Sequence, residues 1–183
     1  MLWIGLGVIG LAVYTVIIYN GLIKTRNMVN EAWSGIDVQL KRRSNLIPNL
    51  VETVRGYSSH EQSVLEDIAH KRTAAMQAQG TREKGAAENA LSGSIRSIFA
   101  LAEAYPDLKA SESFLSLQAQ LVEVEDQIQL ARRYYNGSVR ILNNKVQSFP
   151  GNLVAGIFGF SAGEFFTLEL TTEGDAPRIG WEE

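Results

Sequence analysis

The first twenty-three residues, Met1 to Ile23, carry no charged side chain, and no other feature of the sequence restricts the fold as much. A helix of that length rises about 34 Å, enough to cross the hydrocarbon core of a bilayer. Trp3 near one end and Tyr14, Tyr19 and Asn20 toward the other stand where amphipathic side chains favour headgroup depth. Gly5, Gly7 and Gly10 lower helix propensity, but in lipid unpaired backbone groups cost far more, so the helix holds. A cleaved signal peptide calls for a basic leading region, a shorter apolar run and an A-x-A-like site, and the sequence offers none of them. A core helix of a soluble bundle would carry a polar face. The segment therefore reads as a transmembrane anchor. Lys24, Arg26, Lys41, Arg42 and Arg43 all follow the span, which predicts that the bulk of the chain lies on the cytoplasmic side.

At 183 residues the whole chain leaves room for the anchor and one domain of ordinary size. With 45% apolar residues the chain can build a core without staples. It has no cysteine, which excludes disulfides, cysteine-rich zinc sites, a thiol nucleophile and a lipidated cysteine. A net charge of −3 and a pI near 5.5 argue against nucleic acid as a partner.

The remainder is patterned for helices. Val29, Trp33, Ile36, Leu40, Ile47, Leu50, Val54 and Tyr57 recur at steps of three and four, with one step of seven around Arg43. They predict a long helix continuous with the anchor, ending at Gly56–Tyr57 and kinked or locally unwound at Pro48. Ser58-Ser59-His60-Glu61 has the form of a capping box opening a second helix. Its stripe is Val64, Leu65, Ile68, Ala75 and Met76, and Gly80 is placed to end it in the left-handed conformation. Residues 80–85 read as a mobile turn, and a third helix is expected over about Ala86 to Ala104, stopped by Pro106-Asp107. A fourth, from about Ser111 to Ser148, holds Phe114, Leu117, Leu121, Val124, Ile128, Ala131, Tyr135 and Leu142 in heptad register. Ser138 takes the one polar place, and Val146 and Phe149 continue the stripe a residue late. Asn152 to Phe166 is glycine-rich and apolar, too short to span a bilayer, and reads as a segment capping the bundle end or touching lipid or a partner. The last fifteen residues, with five acids against one arginine, read as a mobile tail.

The fold class expected is all-α: an N-terminal transmembrane helix followed by an antiparallel up-down bundle of about four long helices. The organisation is then 1–23 anchor, 24–150 helical bundle, and 151–183 apolar capping segment with an acidic flexible tail.

Several runs carry a resemblance: Glu31-Ala32-Trp33-Ser34-Gly35-Ile36-Asp37-Val38-Gln39-Leu40-Lys41-Arg42-Arg43, Leu46-Ile47-Pro48-Asn49-Leu50-Val51, Glu103-Ala104-Tyr105-Pro106-Asp107-Leu108-Lys109-Ala110 and Ala131-Arg132-Arg133-Tyr134-Tyr135-Asn136. With Phe149-Pro150 and Gly159-Phe160 they resemble the LemA family, from Tyr19-Asn20 to Phe165-Phe166. Gly137 and the Val124-Glu125-Asp126 stretch depart from that pattern. The resemblance implies a bacterial membrane protein, at the cytoplasmic (inner) membrane, with a short N-terminal anchor and an antiparallel helical body. It implies no established activity, and suggests envelope roles with partner proteins.

Reactive constellations are sparse. His60-Glu61 opens a zinc-protease pattern, but Val64 stands where the second histidine belongs. Asp67 and His70 have the i, i+3 spacing of a helical metal-ligand pair, and Glu103, Glu112, Glu123 and Glu125 offer further carboxylates. A two-metal site needs a second such pair, and Tyr57 precedes His60 where an acid is required. There is no G-x-S-x-G elbow, phosphate loop or dinucleotide fingerprint. Trp33 reads as a core anchor, and Asp37 with Lys41 as an exposed pair. Lys41, Arg42 and Arg43 read as a solvated face or, alternatively, a contact for anionic lipid. Phe158, Phe160, Phe165 and Phe166 are candidate contacts for lipid or a partner. The expected function is a non-enzymatic scaffold or interaction module, without a cofactor, anchored in lipid through residues 1–23 and engaging a protein partner or a second copy of itself. A carboxylate–histidine metal enzyme and a lipid-binding, membrane-remodelling module are the alternatives.

Overall fold

The computed structural model describes residues 1–57 and 61–167, apart from the Leu2 side chain. Ser58, Ser59 and His60 of the expected capping box, and the acidic tail, lie outside the described residues. Every regular element among the described residues is an α-helix. In order they are α1 (Leu2–Arg55), α2 (Gln62–Gln77), α3 (Gly80–Ala102), α4 (Pro106–Lys109), α5 (Glu112–Gln147) and α6 (Gly151–Phe158).

The long first helix follows from its sequence. Apolar residues fill its leading part all round, a one-sided stripe follows, and no breaker lies between them. It runs unbroken through Pro48, which has no N–H to give to the carbonyl four residues earlier. Gly56 and Tyr57 form the turn that ends it. Tyr57, expected in the stripe, is 47% exposed.

Two compact units are formed, the first from two separate stretches of sequence: Met1–Leu46 with Leu117–Phe166, and Ile47–Ser116. In the first, α1 and α5 run antiparallel, so residue numbers on one rise as those on the other fall. Arg43 meets Glu125, Trp33 meets Tyr135, and Lys145 meets Gly21 and Thr25. The buried apolar positions include Leu22, Val29, Ala32, Ile36 and Leu40 on α1, and Leu117, Leu121, Val124, Ile128, Tyr135, Val139 and Leu142 on α5. These α5 residues are largely the heptad set. Ser138, its polar member, is buried too and turns its hydroxyl onto the Tyr134 carbonyl at 2.9 Å. Phe149, expected to continue the stripe, is 79% exposed, because α5 ends at Gln147 and the chain turns away.

That reversal depends on Gly151. A Cβ there would stand 2.2 Å from the carbonyl oxygen of Lys145, inside van der Waals contact. The chain then folds back as α6, setting Val154 and Ala155 on Leu22, with Ile18, Tyr19, Val146 and Phe160 around them. Gly159, at a φ of 70°, ends α6 in the left-handed conformation, and the Phe160 amide reaches back to the Ala155 carbonyl at 2.9 Å.

In the second unit α2 and α3 pack as an antiparallel hairpin, with Leu65, Ile68 and Ala75 of α2 buried together with Leu91, Ile95 and Ile98 of α3. Met76, expected in the α2 stripe, is 59% exposed in the last turn. The expected mobile turn over residues 80–85 is instead the first part of α3. Gly80 is left-handed, as expected, with a φ of 73°, but it begins α3 after a link of only Ala78 and Gln79. Two side chains explain the shorter link. The Glu83 carboxylate accepts the Gln79 amide at 3.2 Å, next to the positive end of α3, and Lys84 donates to the Ala75 carbonyl at 2.9 Å, closing α2. At the entrance to α2, Glu61 occupies the N-cap itself instead of the third helical position a capping box requires, and its carboxylate accepts from the Tyr105 hydroxyl at 3.4 Å. Pro106, at the first position of α4, suits a helix start because its missing N–H would have had no partner there.

Candidate functional site

The run Lys41-Arg42-Arg43 does not form one solvated basic face. Leu40, Arg43 and Ile47 are spaced three and four, so Arg43 falls on the buried stripe of α1. Its side chain is 1% exposed and donates to Glu125 at 2.7 Å, while Gln129 donates to the other Glu125 oxygen at 3.0 Å. Arg42 pairs with Glu123 at 3.1 Å across the surface of the same helix pair, with both side chains about half exposed. Lys41 is exposed. Glu123 and Glu125, weighed above as metal carboxylates, are thus engaged by guanidinium groups.

Asp67 is likewise occupied. One of its oxygens accepts from Lys71 at 2.8 Å and from Ser94 at 2.5 Å. The Lys71 bond, then the Ser94 bond, hold this carboxyl below its ordinary value. His70, its expected companion, is exposed. Glu103 pairs with Lys109. Among the described residues no three histidine, aspartate or glutamate side chains come together as a set that could hold a metal.

Two features of the first unit were not read from the sequence. The first is a clamp on the chain after α6. Asn143 exchanges two hydrogen bonds with the backbone of Gly163, at 3.1 and 2.8 Å. Asn136 does the same with Phe166, at 3.0 and 2.9 Å. Tyr135 donates to the Glu164 carbonyl at 2.9 Å. Seven residues of helix advance about 10.5 Å, and three residues of extended chain about 10 Å. Two asparagines at i and i+7 therefore meet two backbone groups three residues apart. The clamp seats Phe166, which is fully buried with its ring 5.6 Å from Trp33, itself 5.4 Å from Tyr135. Trp33, expected as a core anchor, stands half-buried at this junction.

The second feature is the end of the helix pair nearest the apolar segment. Tyr19 packs against Phe158 at 4.8 Å and Phe160 at 5.7 Å, and the Arg26 guanidinium lies 5.0 Å above the Phe160 ring. Lys145 donates to Thr25 at 2.7 Å and to the Gly21 carbonyl at 3.1 Å. Beside them a cavity of about 260 Å³ opens between Ile18 and Leu22 of α1 and Lys145 and Phe149. The outer face of α6 bears bare apolar side chains, Leu153 at 57% and Ile157 at 75% exposed, and Phe158, though packed on Tyr19, is still 52% exposed. The four candidate phenylalanines therefore divide. Phe158 and Phe165 are open, Phe160 is half-buried under Arg26, and Phe166 is turned inward. Residues 1–30 and 127–163, which include all of this end, contain no aspartate or glutamate, whereas Lys24, Arg26, Arg140 and Lys145 are exposed here.

Long helices with a packed, largely aliphatic interior, led by one helix long and apolar enough to cross a membrane, define a helical-body protein with an apolar N-terminal helix. Residues 32–181 match the LemA family, and the chain belongs to it. Magnetosome protein MamQ 2 of Paramagnetospirillum magneticum is 25% identical over 88% of this chain and 68% of its own length. Magnetosome protein MamQ of Magnetospirillum gryphiswaldense is 26% identical over the same shares. Protein LemA of Metamycoplasma hominis is 28% identical over 74% of this chain and 63% of its own length.

Proposed function

We propose that this LemA-family chain is a non-enzymatic interaction module, held by a single pass in the bacterial cytoplasmic membrane and presenting its helical body on the cytoplasmic side. The observation that carries this reading is the continuity of α1. Its leading residues are uncharged and almost wholly exposed, and the same unbroken helix enters the packed body. Whatever docks on such a body is held at a fixed distance from the bilayer. The sidedness rests on Lys24 and Arg26, with Arg140 and Lys145 adding to the cationic end that the fold assembles. The relatives' names point the same way, naming a family or a magnetosome and no reaction.

The chain lacks cysteine, so one introduced thiol reports sidedness without background. Tyr134→Cys, at an exposed position on α5, is expected to react with a membrane-impermeant maleimide in inverted vesicles and not in intact spheroplasts. The reverse pattern would place the body outside. The metal-enzyme alternative leans on Asp67 and His70. Elemental analysis of the purified chain after dialysis is expected to find background metal, and stoichiometric iron, manganese or zinc would revive that reading.

A further inference from the structure

We infer that α6 is an interfacial helix: its bare face enters the headgroup–acyl boundary of the bilayer beside the point where α1 leaves it. The inference rests on the anchor reading above and extends it to a second, non-spanning contact with lipid.

The depth follows from the packing. Val154 and Ala155 sit on Leu22, with Ile18 and Tyr19 alongside, all within the uncharged run that ends at Ile23. From Ile18 to Ile23 α1 rises about 7.5 Å. If residues 1–23 lie in the membrane, α6 cannot stay clear of it: its partners on α1 are the last two turns before the charges begin. A helix lying in the interface buries its apolar side by about 5–10 Å, the same depth.

The composition of the segment suits that place. Residues 151–163 contain no charge, and the face turned away from Leu22 presents Leu153 and Ile157, each more than half exposed, while Phe158, packed on Tyr19, leaves half of its surface open at the edge of the contact. Water is a poor solvent for such a face, and the adjoining anchor already commits its surroundings to lipid. Lys24, Arg26, Arg140 and Lys145, with no carboxylate in residues 1–30 or 127–163, put cations where anionic headgroups would stand. Long basic side chains reach the headgroups while their stems lie along apolar surface.

Single thiols at Ile157→Cys, Ile9→Cys and Tyr134→Cys test this in the full chain. Each is labelled with a nitroxide and reconstituted in vesicles of phosphatidylethanolamine and phosphatidylglycerol. Collision with oxygen, which concentrates in lipid, is compared with collision with a water-soluble nickel chelate. Labels at 9 and 157 are expected to show a several-fold lower ratio of nickel to oxygen accessibility than the label at 134, with 157 the shallower of the two. A label at 157 as open to nickel as that at 134, with the label at 9 shielded, would overturn the interfacial helix and leave the anchor standing. A label at 9 open to nickel would remove both. Shielding of 157 from both reagents with dipolar broadening would mean that a second copy covers α6, and would also overturn the inference.

Discussion

Among single residues, Arg43 has the most to lose. Its guanidinium is buried and donates to Glu125, so removing that carboxylate takes a charge-assisted hydrogen bond from a buried group. Glu125→Ala is expected to cost about 1.5–3 kcal/mol, whereas Glu123→Ala, which breaks a half-exposed pair, is expected to cost less than about 1 kcal/mol. Chemical denaturation of the two variants checks the contrast, and equal losses would contradict the buried role of Arg43. The charge run at 41–43 concealed that role, although the step of seven in the α1 stripe held the clue, because Arg43 fills the gap. Asp67 has a pH signature. Its folded carboxyl titrates below the ordinary value, so its contribution to stability is present above the unfolded value of about 3.8 and lost as pH falls through the lower, folded one. Ser94→Ala, which removes one bond to that carboxylate, is expected to weaken the stability gained on raising pH through that acid range. Acid titration followed by circular dichroism checks this, and an unchanged profile would count against the Ser94 bond.

Among the elements, α5 was the most legible, because a heptad repeat is a local signal and thirty-six residues repeat it many times. Residues 80–85 were the least legible, because the helix there is secured by Glu83 and Lys84 bonding across a link between two elements, which no single-helix pattern encodes. The asparagine clamp was hidden for a similar reason. Its spacing of seven is visible, but its partner is a glycine-rich strap with no periodicity of its own. Replacing Asn143 or Asn136 by alanine leaves backbone groups without their partners, and each is expected to cost about 1–3 kcal/mol. Hydrogen exchange at the amides of Gly163 and Phe166 provides the direct readout: Asn143→Ala should accelerate the first and Asn136→Ala the second. Unchanged protection would mean that the strap is held by Phe166 alone. At the reversal before α6, Gly151→Ala forces a Cβ onto the Lys145 carbonyl, a fixed backbone atom, and is expected to lower stability by about 1–3 kcal/mol.

For the molecule as a whole, the apolar lead, the all-helical class and the family were legible because they rest on long runs of sequence. The cationic, acid-free end was not. Lys24 and Arg26 stand near the anchor in sequence, but Lys145 is brought to it only by the antiparallel pairing of α1 with α5, and it lies more than a hundred residues away. The bare face of α6 was legible as an apolar segment, though not its place beside the last turns of the uncharged run. These features share one premise, that residues 1–23 lie in lipid as the first part of an unbroken helix. Alkaline extraction of membranes from cells expressing the full chain tests that premise most directly. The chain is expected to stay with the bilayer, and Val8→Arg combined with Val13→Arg, each charge costing about 2.5–3.5 kcal/mol or more at mid-membrane, is expected to release it. Release of the unaltered chain by the alkaline wash, or its full solubility without detergent, would contradict the account.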